Sequence, residues 1–241
     1  MTVQLSLFAL GDRSDQWSVR TSRRARRLSV RVYPGGRVEI VTPPGASPIV
    51  VQRFIGEHRQ WIDERVQAFA GMVVADTSLP DTIVLPAIDR RCAVQYVDRA
   101  GATRVQLDGA TLVVAGPLKD RRTIALALRR WLCELAALYL GGFLEEVATA
   151  VQLPFNRVQI RRQRTRWGSC SATRTISLNA CLLFLDVAVV RYLMIHELCH
   201  TREMNHSPRF WSLVAAHEPN YRALDRALLG GWQQVPWWMF G

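Results

Sequence analysis

The chain has 241 residues, 49% hydrophobic and 21% charged, with a formal net charge of +11. That length accommodates one large or two small domains, and the composition excludes a collagenous, low-complexity or disulfide-stapled chain. Lys119 is the single lysine, so the positive charge is almost all arginine; the five cysteines are odd in number and form no C-x-x-C pair, which predicts free thiols in a reducing cytoplasm.

Met1–Leu10 lacks both a basic start and a small-residue cleavage site, so no secretory signal is read there. Residues 1–20 are expected as a loose N-terminal arm. Arg23, Arg24, Arg26 and Arg27 then precede alternating Leu28, Val30 and Val32, and Val38 and Ile40 come after Pro34-Gly35-Gly36. This pattern predicts a β-hairpin with a solvated basic lead-in. Ser47 to Met72 reads as one amphipathic helix capped by Ser47-Pro48, with Val51, Phe54, Ile55, Trp61, Ile62 and Val66 inward and His58 in an ordinary surface or packing role.

Strand patterning returns at Ile83–Leu85, Cys92–Val97, Arg104–Leu107 and Thr111–Ala115, with Asp108-Gly109 as a hairpin turn. With the first hairpin, these strands are expected to form a small, largely antiparallel sheet carrying one helix. Gly116–Asp120 is the expected boundary, giving a β-rich domain over 21–116 and a second domain over 117–229. Arg121 to Val151 is helical in pattern, with Gly141-Gly142 as a candidate break and a core face of Leu126, Trp131, Leu135, Leu138, Phe143 and Val147. The longest apolar candidate for a membrane span, Trp131–Leu144, is too short and contains Glu134, so no membrane partner is expected.

Two strands come next, Arg157–Arg164 and Thr175–Asn179, joined through turn-rich Gly168–Thr173 into a short hairpin. No acidic residue occurs between Val147 and Leu185, whereas Arg157, Arg161, Arg162, Arg164, Arg166 and Arg174 all fall there. The tail over 230–241 carries Trp232, Trp237, Trp238 and Phe240 and is expected to pack back on the body.

The chemistry concentrates in Arg191–Trp211. His196-Glu197-Leu198-Cys199-His200 is an H-E-x-x-H pattern, with His206 six residues later. On a helix, histidines four apart lie about 40° from one another and one turn apart, so both rings can meet one metal ion while Glu197 acts as a base. Catalytic zinc sites take three protein ligands and keep a fourth position open. A continued helix would put His206 roughly 9 Å beyond His200 and about 120° off its face, so the chain must leave the helix first. Asn205 tolerates a left-handed helix end, and Ser207-Pro208 is an N-cap and first-turn pair, placing His206 on an elbow between two helices. Glu203 is the next candidate ligand, with a solvent-facing or outer carboxylate as its plainer role; His217 and Glu218, at the end of the next helix, read more simply as capping residues.

The stretch QRTRWGSCSATRTISLN (Gln163–Asn179), trailed by HELCHTREMNHSPRFW, resembles the YgjP-like zinc metallopeptidase family, related to SprT-like metallopeptidase domains. The resemblance is close over residues 120–228, and RARRLSVRV…PPG…WI near the N-terminus fits the same family. It implies an α+β protein whose zincin-like helical domain holds Zn2+ through His196, His200 and His206, with Glu197 as general base. A metzincin would carry glycine midway between the second and third histidines, where this chain has Glu203. Arg166 and Trp167 are the candidate substrate contacts. Trp167 as a core residue and Gly168 as a provider of unusual backbone angles is an equally economical account of that segment. Cys170 is expected as an ordinary buried thiol rather than a metal ligand. The expected substrate is a peptide or protein. A metal-dependent nucleoside triphosphate (UTP-type) pyrophosphatase and a nucleic-acid-associated module using the arginine-rich surface are the alternatives.

Overall fold

The computed structural model describes residues 17–33, 35–70 and 78–240. Its architecture is α+β, with helices and three small sheets. Chain contacts divide it into Met1–Val74 and Ala75–Gly241, so the strands between 82 and 116 group with the C-terminal helices. The sequence placed the division at Gly116–Asp120 instead. Nothing in the local pattern of these strands tells that their sheet packs with the helices that come after it.

In the first unit, β1 (Trp17–Thr21) pairs in parallel with β3 (Val38–Thr42), and β2 (Ser29–Val32) pairs with β3 antiparallel, giving the order β1-β3-β2. The expected hairpin is β2–β3, turned with Gly35 and Gly36 at φ 84° and 77°, angles that glycine adopts without steric cost. Residues 17–20, expected in the loose arm, begin a strand; the rest of the arm lies outside the described residues. β1 is held at its far end by Arg20, whose Nε donates to Glu39 at 3.0 Å.

The single helix expected over Ser47–Met72 is two, α1 (Pro48–Glu57) and α2 (Arg59–Ala70). Ser47 caps α1 as expected, its hydroxyl accepting from Val50 N. The break falls at His58, which leaves helical geometry at φ −108°, ψ 8°. Its Nδ1 lies 2.8 Å from Phe54 O, so that carbonyl is shared between the ring and the backbone. Val51, Ile55, Ile62 and Val66 are buried as expected, while Trp61 is 42% exposed.

The second unit opens with β4 (Thr82–Leu85), β5 (Arg90–Asp98), β6 (Arg104–Asp108) and β7 (Thr111–Gly116), in the order β4-β5-β7-β6. The expected turn after Asp108 joins β6 and β7, but β5 and β7 run parallel, so the sheet is mixed and separate from the first. Helix α3 (Arg121–Val151) is unbroken at Gly141-Gly142. Two glycines cost roughly 1 kcal/mol each in a helix, and the buried Leu140 and Leu144 on either side offset that cost. Its buried face centres on Ile124, Leu128, Leu132, Ala136, Leu140 and Leu144; of the expected core positions Trp131 and Val147 are buried, whereas Leu138 is 73% and Leu126 49% exposed.

Strands β8 (Arg157–Arg161), β9 (Gly168–Cys170) and β10 (Thr175–Asn179) form the third sheet, in the order β8-β10-β9. The two strands read from the sequence are parallel neighbours, and the hairpin is β9–β10, tightened at Arg174 with φ 54°. The sequence missed β9 because its Gly-Ser-Cys has no hydrophobic alternation. Helix α4 (Val187–Cys199) comes next, capped by Asp186 Oδ1 on Ala188 N at 2.8 Å. Then come α5 (Pro208–His217) and α6 (Tyr221–Gly230). The sequence ended the first of these at His217 and Glu218, as found, but did not read α6 as a separate helix. Glu218 precedes Pro219 and is forced out of the helical region to φ −142°, ψ 88°.

The tail packs on the body as expected. Trp232 and Trp238 are each 1% exposed, Arg129 on α3 donates to Trp238 O, and Arg162 donates to Met239 O at 2.9 Å. No helix among the described residues is long and apolar enough to cross a membrane.

Candidate metal centre

Tyr192, Leu193, Met194, Ile195, Leu198 and Cys199 make α4 a helix buried almost all round. His196 and His200 therefore emerge from a rigid base. The helix ends without a left-handed residue: Asn205 is not among those with positive φ, contrary to the sequence reading. Instead Thr201 N and Arg202 N bond three residues back to Leu198 O (2.9 Å) and Cys199 O (3.1 Å), and Thr201 Oγ1 also donates to Leu198 O at 2.7 Å. This tightening of the last turn satisfies carbonyls that would otherwise be orphaned. Ser207 then starts α5, its hydroxyl accepting from Phe210 N at 3.3 Å with Pro208 in the first turn.

The elbow brings His206 back beside the other two rings. His196 Nε2 and His206 Nε2 are 3.1 Å apart, and the ligand atoms of His196, His200 and His206 all lie within 4.8 Å of one another, a set that can hold a metal ion. Nitrogens sharing a tetrahedral zinc at about 2.0–2.1 Å would stand roughly 3.3 Å apart, which the His196–His206 pair matches. His200 Nδ1 sits 3.0 Å from Glu203 O, which fixes the ring and leaves Nε2 for a ligand role. Glu203 thus contributes through its backbone and does not join the ligand set. Burial pushes His196 down to about 3, with His200 and His206 adding repulsion. His200 is lowered as well, by burial and by His206, against the bond to Glu203 O. Both rings are held neutral, the form that binds metal.

Phe210 is the residue the sequence read only as a helix position. It is fully buried, stacks on His200 (4.4 Å, 22°), and meets His196 and His206 edge-on at 4.9 and 4.8 Å. Its i+4 spacing from His206 was the available signal. Trp211 stacks on His206 at 5.7 Å.

Glu197 is 5% exposed, and its Oε2 has no hydrogen-bond partner. Burial raises its pKa to about 8, against the opposing pull of Arg166 and a backbone hydrogen bond from Cys170. The carboxyl lies against β9: a Cβ at Gly168 would stand 2.7 Å from Glu197 Oε1 and 2.9 Å from its Cγ. Gly168 is required for this approach, not for an unusual backbone angle, since its φ is not positive.

Arg166 is exposed and close enough to Glu197 to favour its charged form. Trp167 is not open to a ligand. It is 5% exposed and stacks on Trp232 at 4.0 Å, which favours the core role over the substrate contact, the two readings the sequence left open. Asn179, which the sequence left as a strand end, clamps this loop: its buried amide donates to Gln163 O and Arg166 O at 2.8 and 2.7 Å, and its backbone N–H to Trp167 O at 2.8 Å. Cys170 lies outside the histidine set. Burial, with Glu197 nearby, raises its pKa to about 11, so it stays a thiol. His217 and Glu218 are also apart from the set; Glu218 accepts from Arg191 at 3.4 Å and from Asn220 N at 3.2 Å.

Neither a curated protein nor a solved structure shows a significant match to the chain. The model of the YgjP-like metallopeptidase domain matches residues 26–229. A match of that extent, spanning both motif stretches and the first hairpin, shows that the chain belongs to the YgjP-like metallopeptidase family.

Proposed function

We propose that the chain is a zinc-dependent peptidase acting on peptide or protein bonds, with His196, His200 and His206 as metal ligands and Glu197 as general base. The observation that carries this reading is the convergence of three imidazoles beside a buried carboxyl with an unpartnered oxygen. A buried carboxyl oxygen without a partner is costly, and a water held between it and a cation would relieve that cost. Zinc would supply Lewis acidity for water and for the scissile carbonyl. Glu197 takes a proton from the attacking water and returns it to the leaving amine.

β9 is an edge strand of its sheet, and its free side can pair with an extended peptide through backbone hydrogen bonds. Arg166, exposed and close enough to Glu197 to influence its charge, is suited to hold the developing oxyanion. The nucleotide and nucleic-acid alternatives draw on the family resemblance and on arginine content, and of those arginines at least Arg162 is engaged in holding the tail.

The purified protein should carry about one zinc per chain and cleave a heat-denatured protein such as casein while leaving nucleoside triphosphates intact. Glu197→Gln should keep the zinc and abolish cleavage. Triphosphate hydrolysis without proteolysis, or full proteolysis by the Gln variant, would overturn the proposal.

A further inference from the structure

A cavity of about 460 Å³ opens beside the histidine set, lined by Trp211, Tyr221, Arg222, Asp225 and Arg226. Both of its walls are indexed to the metal helix. On the α5 side, Trp211 packs on His206 and meets His196 edge-on at 5.8 Å. On the α6 side, Asp225 accepts a 2.8 Å hydrogen bond from the hydroxyl of Tyr192, which stands one turn before His196 on α4. Trp211 and Tyr221 stack on each other at 5.4 Å. A column therefore runs from His206 through Trp211 to Tyr221, and the guanidinium of Arg222 continues it, 5.6 Å from the Tyr221 ring centroid.

The charge in this cavity is unbalanced. Asp225 is engaged by Tyr192. Arg222 uses Nε on the Tyr221 hydroxyl at 3.2 Å, which holds the guanidinium at the cavity edge with its terminal nitrogens still available. Arg226 is exposed one turn further along α6. Neither arginine appears in an ion pair among the described residues. Aromatic walls with two arginines at the rim, of which Arg222 is held in place, outweigh the single Asp225 carboxylate and suit a group with an apolar stem and an anionic head, since guanidinium binds carboxylate through paired N–H donors.

We propose that this cavity is a subsite for a carboxylate carried by the peptide substrate, either an Asp or Glu side chain or a free C-terminus, recognised by Arg222 and Arg226. The inference rests on the peptidase reading of the histidine site. The ring spacings from His206 to Trp211 and from Trp211 to Tyr221 are 5.7 and 5.4 Å. An extended peptide covers that path in about three residues, so the carboxylate belongs within about three residues of the cleaved bond.

The test maps cleavage sites by mass spectrometry. The zinc-loaded full chain and its R222E/R226E variant act on a proteome-derived peptide library, prepared once with free and once with amidated C-termini. Zinc content and melting temperature serve as controls on the variant's fold. Enrichment of Asp or Glu at one fixed position within three residues of the cut is expected, by about fivefold over neutral residues, the scale of one partly exposed ion pair. The enrichment should move to Lys and Arg in the charge-reversed variant. Cleavage confined to the last three bonds and lost on amidation would assign the site to the C-terminal carboxylate instead, within the same proposal. Cleavage without any acidic or C-terminal preference, or a preference unchanged in R222E/R226E, overturns the subsite and leaves the peptidase reading standing. No cleavage of either library overturns both. If the double variant loses its zinc or its melting transition, R226E alone carries the comparison under the same criteria.

Discussion

The carboxyl of Glu197 rests directly on the backbone of Gly168, where a single added methyl carbon would stand 2.7 Å from Oε1. Gly168→Ala must therefore displace either β9 or the carboxyl. The histidines lie on other elements, so zinc content should stay at the wild-type level. Turnover should fall by up to about a hundredfold, the scale of an ångström-sized misplacement of a reacting group. Metal analysis paired with kcat measurement checks this; wild-type turnover would mean that the carboxyl can move freely.

Phe210 supports all three imidazoles from below. Phe210→Ala should cost about 3–5 kcal/mol of stability, the usual range for emptying a buried aromatic site. It should also weaken metal retention, because the rings lose the surface that fixes their orientation. Competition with a graded zinc chelator would show this as loss of metal at lower chelator concentration. Phe210→Leu should recover most of the stability and only part of the metal affinity.

Ser207 sets the register of the helix that begins just after His206. Ser207→Ala removes the hydroxyl that accepts from Phe210 N and should cost about 0.5–2 kcal/mol, seen as a lower melting temperature. His206 is the immediate neighbour, so zinc affinity should fall with it. Ser207→Asp retains a capping acceptor and should restore both.

Trp232 lies under Trp167, and the backbone of Gly231 approaches Leu185 Cδ2 and Trp167 Cζ2 so closely that a Cβ there would stand 2.8 and 3.2 Å from them. Trp232→Ala should lower stability by about 3–5 kcal/mol and reduce kcat, since Trp167 precedes the glycine on which Glu197 rests. Double-mutant analysis with Gly168→Ala should be non-additive in kcat, as expected for residues acting on one group. Additive losses would show that the tail stabilises the fold without reaching the site.

The elbow that brings His206 to the other two histidines was legible in the chain because its signals are local. H-E-x-x-H spacing, the Ser207-Pro208 start and the need to leave the helix before His206 all lie within a short stretch of chain. The β2–β3 hairpin and the β6–β7 turn were legible for the same reason. The features that escaped depend on partners distant in sequence. β5 and β7 are parallel, and nothing in either strand encodes that choice. α3 buries Leu128 and Leu132 rather than Leu126 and Leu138, a phase set by the elements it packs against. Trp167 looks equally suited to a substrate or a core until Trp232, far along the chain, is found stacked on it. β9 carries no pattern of its own and exists as a strand only through β10.

The stacking of Trp232 on Trp167 and the grip of Arg129 on Trp238 O make the last residues of the chain part of what supports the site. While the ribosome is still adding residues 231–238, α3 and the loop before β9 lack the surfaces that complete them. A chain stalled just after Gly230 would already display every histidine of the metal set, yet the glycine shelf for Glu197 would be unsupported. The footing of Glu197 is thus completed only once the C-terminal tryptophans are in place.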